Sequence, residues 1–87
     1  MQIVYSRQAA KFVSTQDVAT KRRIKLGIEG LTETPPKGDI KLLQGYHNKT
    51  YRLRIGKYRI IYRYDNLSNQ QRILFISDID SRGDIYK

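Results

Sequence analysis

Two alternating runs joined by only two residues constrain this chain more than any other feature. Tyr51-Arg52-Leu53-Arg54-Ile55 and Tyr58-Arg59-Ile60-Ile61-Tyr62-Arg63-Tyr64 flank the dipeptide Gly56-Lys57. A period of two is that of a β-strand, whose side chains point alternately to opposite faces. A two-residue link with glycine first closes an antiparallel hairpin. The short link also sets the register: Ile55 faces Tyr58, Arg54 faces Arg59, Leu53 faces Ile60, Arg52 faces Ile61 and Tyr51 faces Tyr62. Tyr51, Leu53, Ile55, Tyr58, Ile60, Tyr62 and Tyr64 then share one face. Arg52, Arg54, Arg59 and Arg63 share the other. The apolar face must be covered by something.

Thr34-Pro35-Pro36-Lys37-Gly38 separates that hairpin from a helical N-terminal half, because neither proline can continue a helix. Gln2-Ile3-Val4-Tyr5 is short and β-prone, and Ser6 is placed to cap a helix. Ala9, Phe12 and Val13 recur at helical spacing within Arg7 to Val13. Ser14-Thr15 breaks this segment and is expected to cap a second helix, with Asp17 in its first turn and its end near Leu31. Ile24, Gly27, Ile28 and Leu31 form the second helix's buried stripe, with Lys21, Arg22, Lys25 and Glu29 on a different face. After the prolines, Ile40 to Leu43 is a short extended piece leading into the loop Gln44 to Lys49. Leu67-Ser68-Asn69 is a turn, and Arg72 to Ile79 is a mostly apolar strand. The expectation is one α+β domain over residues 1–87, ordered β-α-α-β-β-β, with two N-terminal helices packed on one face of an antiparallel sheet.

Composition narrows the function. Eighty-seven residues allow one small core and modest stability. Seventeen Lys+Arg against eight Asp+Glu give +9, which calls for a polyanionic partner. The absence of cysteine excludes disulfide scaffolds, thiolate zinc sites and cysteine nucleophiles. A single histidine excludes a multi-histidine metal centre, and no metal or cofactor is expected. No apolar stretch approaches the length of a membrane span. The first six residues lack the apolar core of a secretory signal, so a cytoplasmic location is expected.

The charge is also concentrated. Between Ile40 and Tyr64 there is no acidic residue, yet there are seven basic ones: Lys41, Lys49, Arg52, Arg54, Lys57, Arg59 and Arg63. Charge on the solvent side of a half-buried sheet is ordinary, but such faces usually mix signs. Here the register sets Arg54 directly across from Arg59, an arrangement costing a few tenths to about 1 kcal/mol unless an anion occupies the face. Arginine offers phosphate a planar, bidentate fork that lysine cannot. The expected ligand is RNA, with Lys41, Lys49, Lys57 and Arg63, and Lys21, Arg22 and Lys25 on the second helix, as further RNA-binding cations. Arg82 and Tyr86, four apart near the C-terminus, could add a cation and a stacking platform for a base.

The hairpin, followed by a strand and then Arg82-Gly83-Asp84-Ile85-Tyr86, resembles the RelE/ParE superfamily of bacterial type II toxin–antitoxin toxins. Gly38-Asp39-Ile40-Lys41-Leu42-Leu43 fits the same family, and the resemblance covers essentially the whole chain. Its RelE branch implies an mRNA interferase: a ribosome-dependent, metal-independent endoribonuclease in which the 2′-hydroxyl of the message attacks the adjacent phosphate and translation stops. The resemblance assigns catalytic roles to Arg52, Arg54, Arg59, Arg82 and Tyr86. Arg59 would hold the scissile phosphate and Tyr86 would stack near the reacting nucleotide. Arg52 and Arg54 stand where the family often has lysines, and Asp80 stands where the best-known pattern has another arginine. Guanidinium groups stay protonated, so Arg52 and Arg54 stabilise charge rather than move protons. Asp80, Tyr86 and His47 are the candidates for general base. The resemblance implies an antitoxin, the ribosome and mRNA as partners. It leaves two alternatives: a ParE-like inhibitor that binds DNA gyrase without chemistry, and a catalytically weak member that binds RNA or its antitoxin.

Overall fold

The computed structural model describes residues 1–45, 49–66 and 71–81. The expectations placed on His47, on the turn at Leu67-Ser68-Asn69, and on Arg82 and Tyr86 lie outside the described residues. Within them, the chain runs β1 (Gln2–Tyr5), α1 (Arg7–Ser14), α2 (Val18–Glu29), a 3₁₀ turn (Gly30–Thr32), β2 (Asp39–Gln44), β3 (Thr50–Ile55), β4 (Tyr58–Asn66) and β5 (Arg72–Ser81). The strands form one five-stranded sheet in the order β1-β5-β4-β3-β2.

The hairpin register is the expected one, residue for residue, from Tyr51 opposite Tyr62 to Ile55 opposite Tyr58. Gly56 has φ of 58°, the left-handed conformation that a tight hairpin link of this hand requires. The sheet as a whole is mixed rather than antiparallel. β1 runs parallel to β5, pairing Ile3 with Leu74 and Tyr5 with Ile76. The reason is topological. The helices carry the chain from β1 to the far edge, and the meander back brings β5 beside β1 in the same direction. The extended piece near Ile40 is a full strand, with Ile40 opposite Leu53 and Lys41 opposite Arg52.

Both helices begin at a side-chain cap. The Ser6 hydroxyl accepts from the Ala9 amide at 3.1 Å and donates to the Ser77 carbonyl at 2.7 Å, so one side chain starts α1 and ties it to β5. The cap of α2 is Asp17, not Ser14-Thr15: its carboxylate accepts from the Thr20 amide at 2.7 Å. Thr15 instead closes α1, donating its hydroxyl to the Phe12 carbonyl at 2.8 Å. The hydrogen bonds from Thr20 hold the Asp17 carboxyl below its usual range.

Ile24, Ile28 and Leu31 are fully buried and pack with Ala9 and Val13 of α1 against Leu53, Ile60, Tyr62, Leu74, Ile76 and Ile79 of the sheet. Gly27, also on this stripe, lies against β3; a Cβ there would meet the Ile55 side chain. α1 is fixed near one irregular point of the sheet, where the β4–β5 register shifts between Ile61 and Tyr62. The Gln8 amide donates to the Ile79 carbonyl at 2.8 Å and accepts from its N–H at 2.9 Å, satisfying backbone groups beside the bulge.

Candidate phosphate-binding face

With both helices on the apolar face, the opposite face of the sheet carries the charge. Pairing across β2, β3, β4 and β5 aligns Asp39, Arg54, Arg59 and Asp80 in a single row. Neighbouring strands lie about 4.8 Å apart, so the two arginines occupy the middle and a carboxylate stands at each end. The next row is Lys41, Arg52, Ile61 and Asp78. Further along β4, Arg63 and Asp65 point the same way, with Arg63 against Phe75 of β5.

This arrangement corrects the expectation of a single-signed face. The acid-free stretch from Ile40 to Tyr64 is real in sequence, but the flanking residues fold onto the same surface. Among the described residues, the face carries five cations (Lys41, Arg52, Arg54, Arg59 and Arg63) and four carboxylates (Asp39, Asp65, Asp78 and Asp80). Three of the arginines have a carboxylate partner. Arg59 Nη2 donates to Asp80 Oδ2 at 2.9 Å, Arg63 Nε to Asp65 Oδ2 at 3.0 Å, and Arg52 Nη2 reaches Asp39 Oδ1 at 3.5 Å. The Arg54–Arg59 repulsion is therefore offset inside the protein. A part-exposed pair of this kind contributes up to about 1 kcal/mol, similar to the cost of two like charges directly opposed.

The three hairpin arginines differ in their surroundings. Arg52 is 8% exposed, and its Nε has no hydrogen-bond partner among the described residues. Its long contact to Asp39 and its burial give it a supporting place beneath the surface. Arg54 is half-buried, its Nε also lacks a partner, and no carboxylate is paired with it. It is the hairpin arginine without a counter-ion in the described structure. Arg59 is held by Asp80, the residue that sequence reasoning offered as a base. A buried Nε–H without an acceptor among the described residues is common to Arg52, Arg54 and Arg59, so what sets Arg54 apart is its charge, which no carboxylate answers there and which an added anion would meet.

The structure does not gather all the expected cations. Lys41 is exposed on the arginine face, Lys49 is exposed just before β3, and Lys57 is exposed at the hairpin turn, its Nζ 5.5 Å from the Tyr58 ring. Lys21, Arg22 and Lys25 lie on α2, on the other side of the sheet. Lys21 and Lys25 there line a cavity of about 250 Å³ with Tyr5, Ala10, Val13 and Ser14. No group of metal-ligating side chains occurs among the described residues, and no described helix is long and apolar enough to cross a membrane.

Sequence reasoning missed Asp39 and Asp78 as members of this face, and it missed the stacking of Arg63 on Phe75, 4.5 Å from guanidinium carbon to ring centroid. Alternation placed Asp39 two residues before Lys41, on the same side, but nothing in the sequence set the β2–β3 register. The tyrosines form a separate cluster on the helix side. Tyr51 stacks on Tyr62 with centroids 5.3 Å apart, and Tyr64 donates to the Leu31 carbonyl at 2.7 Å. Burial raises the pKa of Tyr62 and of Tyr64, so neither is suited to proton transfer on the opposite face.

The sequence matches the family described as ParE toxin of type II toxin-antitoxin system, parDE, over residues 3–86. The chain belongs to that family. The toxin also resembles a solved structure described as an archaeal RelE-RelB complex from Pyrococcus horikoshii OT3. The sequence identity is 27%, the TM-score is 0.74, and the match covers 94% of each chain. Among curated proteins none matches. The RelE/ParE resemblance and the α+β fold read from the sequence are thus borne out.

Proposed function

We propose that this toxin is an endoribonuclease that cuts mRNA on the ribosome and is held inactive by an antitoxin. The observation that carries the reading is the Arg54–Arg59 pair on the open sheet face, with Arg54 lacking a carboxylate partner among the described residues. A phosphate over this pair meets two guanidinium groups, and a phosphorane, with more negative charge than the ground state, is favoured more strongly still. Such electrostatic stabilisation is commonly the largest catalytic contribution. In the reaction the 2′-hydroxyl gives up its proton as its oxygen bonds to phosphorus, and the bond to the 5′-oxygen breaks with a proton passing to that leaving oxygen, so no covalent enzyme intermediate is needed. Arg54 and Arg59 serve as the phosphate ligands and Arg52 supports them from below. Arg82 and Tyr86 keep the roles that the family resemblance gives them. The antitoxin is supported by the family description and by the similarity to a RelE-RelB complex.

A second reading is a gyrase inhibitor without chemistry, favoured by the ParE family match and by the carboxylates that already occupy Arg52 and Arg59. Induction of the toxin with primer extension on translated messages, beside a supercoiling assay with purified gyrase, separates the two. Cuts within translated mRNA with normal supercoiling are expected. Intact messages with blocked supercoiling would establish the gyrase reading instead.

A further inference from the structure

We infer that Asp80 is an affinity-limiting residue of the phosphate site: in the free toxin its carboxylate takes the place on Arg59 that an RNA phosphate would take. The inference rests on the reading of Arg54 and Arg59 as phosphate ligands, and it concerns how that site is regulated.

Three observations carry it. Asp80 is in register with Arg59 and, through it, with Arg54, so its carboxylate belongs to the same row as the two phosphate ligands. Its Oδ2 accepts from Arg59 Nη2 at 2.9 Å, a charge-assisted contact of the kind a phosphate oxygen would make. Its Oδ1 is buried and has no hydrogen-bond partner among the described residues, so this carboxylate is only half satisfied. Asp80 therefore neutralises Arg59 while gaining little of its own. A phosphate arriving on the row must share Arg59 with a fixed negative charge one strand away. The pair at the other end of the row behaves differently, since Asp39 is drawn off toward Arg52 and leaves Arg54 uncovered. The result is a site that binds isolated single-stranded RNA weakly and depends on further contacts to load it.

Counterion release gives a readout independent of cleavage. Each phosphate neutralised on a single strand contributes roughly −0.7 to the slope of log affinity against log salt. In the wild type Arg59 is largely answered by Asp80 and adds little to that slope. Asp80→Asn frees it.

The experiment measures binding of a uridine dodecamer to the purified toxin by fluorescence anisotropy between about 50 and 300 mM salt. Asp80→Asn is expected to tighten binding several-fold at low salt and to steepen the slope by roughly one phosphate's worth. Asp80→Glu, which keeps the charge, should bind like the wild type. Glu33→Gln makes the same change in net charge at the distant Glu33–Lys37 pair and should leave affinity and slope nearly unchanged. The gain from Asp80→Asn should vanish in an Arg59→Ala background. If Asp80→Asn does not fold, as judged by circular dichroism, Asp80→Ser replaces it. Unchanged or weakened binding by the neutral variant overturns the inference, as does a gain that survives Arg59→Ala or is matched by Glu33→Gln. Arg54→Ala distinguishes this failure from that of the underlying reading: if it binds as tightly as the wild type, the phosphate site itself is wrong.

Discussion

The two faces of the sheet solve opposite problems with the same strands. On the helix side, Leu53, Ile60, Tyr62, Leu74, Ile76 and Ile79 are buried against two helices. On the other side, one residue along β3, Arg52 and Arg54 carry guanidinium N–H groups that are buried without an acceptor among the described residues. The first face is complete in the free protein. The second is held in balance by carboxylates at its margins and is left with unmet donors at its centre. Core packing and unmet charge are thus separated by strand alternation alone, so neighbouring substitutions should report on different properties.

The largest effect is expected from Leu53→Ala, which opens a cavity in the core. It should lose about 2–5 kcal/mol in chemical denaturation, enough to unfold much of a small domain. Gly27→Ala should cost much less than Leu53→Ala, because the Cβ meets the rotatable end of the Ile55 side chain, which can turn aside, and alanine favours the helix. Arg54→Ala, one residue from Leu53, should do the reverse. Cleavage falls by about 10²–10³ while the melting temperature stays within a few degrees of the wild type. Equal loss of stability in both neighbours would erase the distinction between the faces.

Smaller effects sharpen it. Ser6→Ala removes a cap and a tie to β5, and should cost about 1–2 kcal/mol without altering RNA affinity. The pH dependence of stability should come from the helix side at alkaline pH. Burial raises the folded-state pKa of Tyr62 above the ordinary 10.0. Its contribution is then fully present below about pH 10 and is lost as pH rises toward the folded value. Tyr62→Phe should flatten that alkaline decline in thermal melts. A decline of the same steepness in the variant would assign it elsewhere.

These elements also show where a sequence can be read and where it cannot. The β3–β4 register was legible because two residues, Gly56 and Lys57, left no other way to close the hairpin. The helices were legible from Ala9, Val13, Ile24, Ile28 and Leu31, whose spacing marks the buried stripes. The carboxylates of the arginine face were not. Asp39 and Asp80 reach Arg52 and Arg59 through pairings made by separate strands, and the β4–β5 pairing contains a bulge that no local signal announces. Nor was the cap of α2, since Ser14, Thr15 and Asp17 all have side chains able to serve, and only Asp17 reaches the Thr20 amide. Local phase predicted which side a residue faces; what it meets there depended on long-range registration.

The most direct test of the arginine face is a single-turnover assay for mRNA cleavage on programmed ribosomes, run with the purified wild type and with Arg54→Ala. The account predicts cleavage by the wild type and a loss of at least about 100-fold in the variant at unchanged thermal stability. Cleavage by Arg54→Ala within about threefold of the wild type, well under 1 kcal/mol, would contradict it.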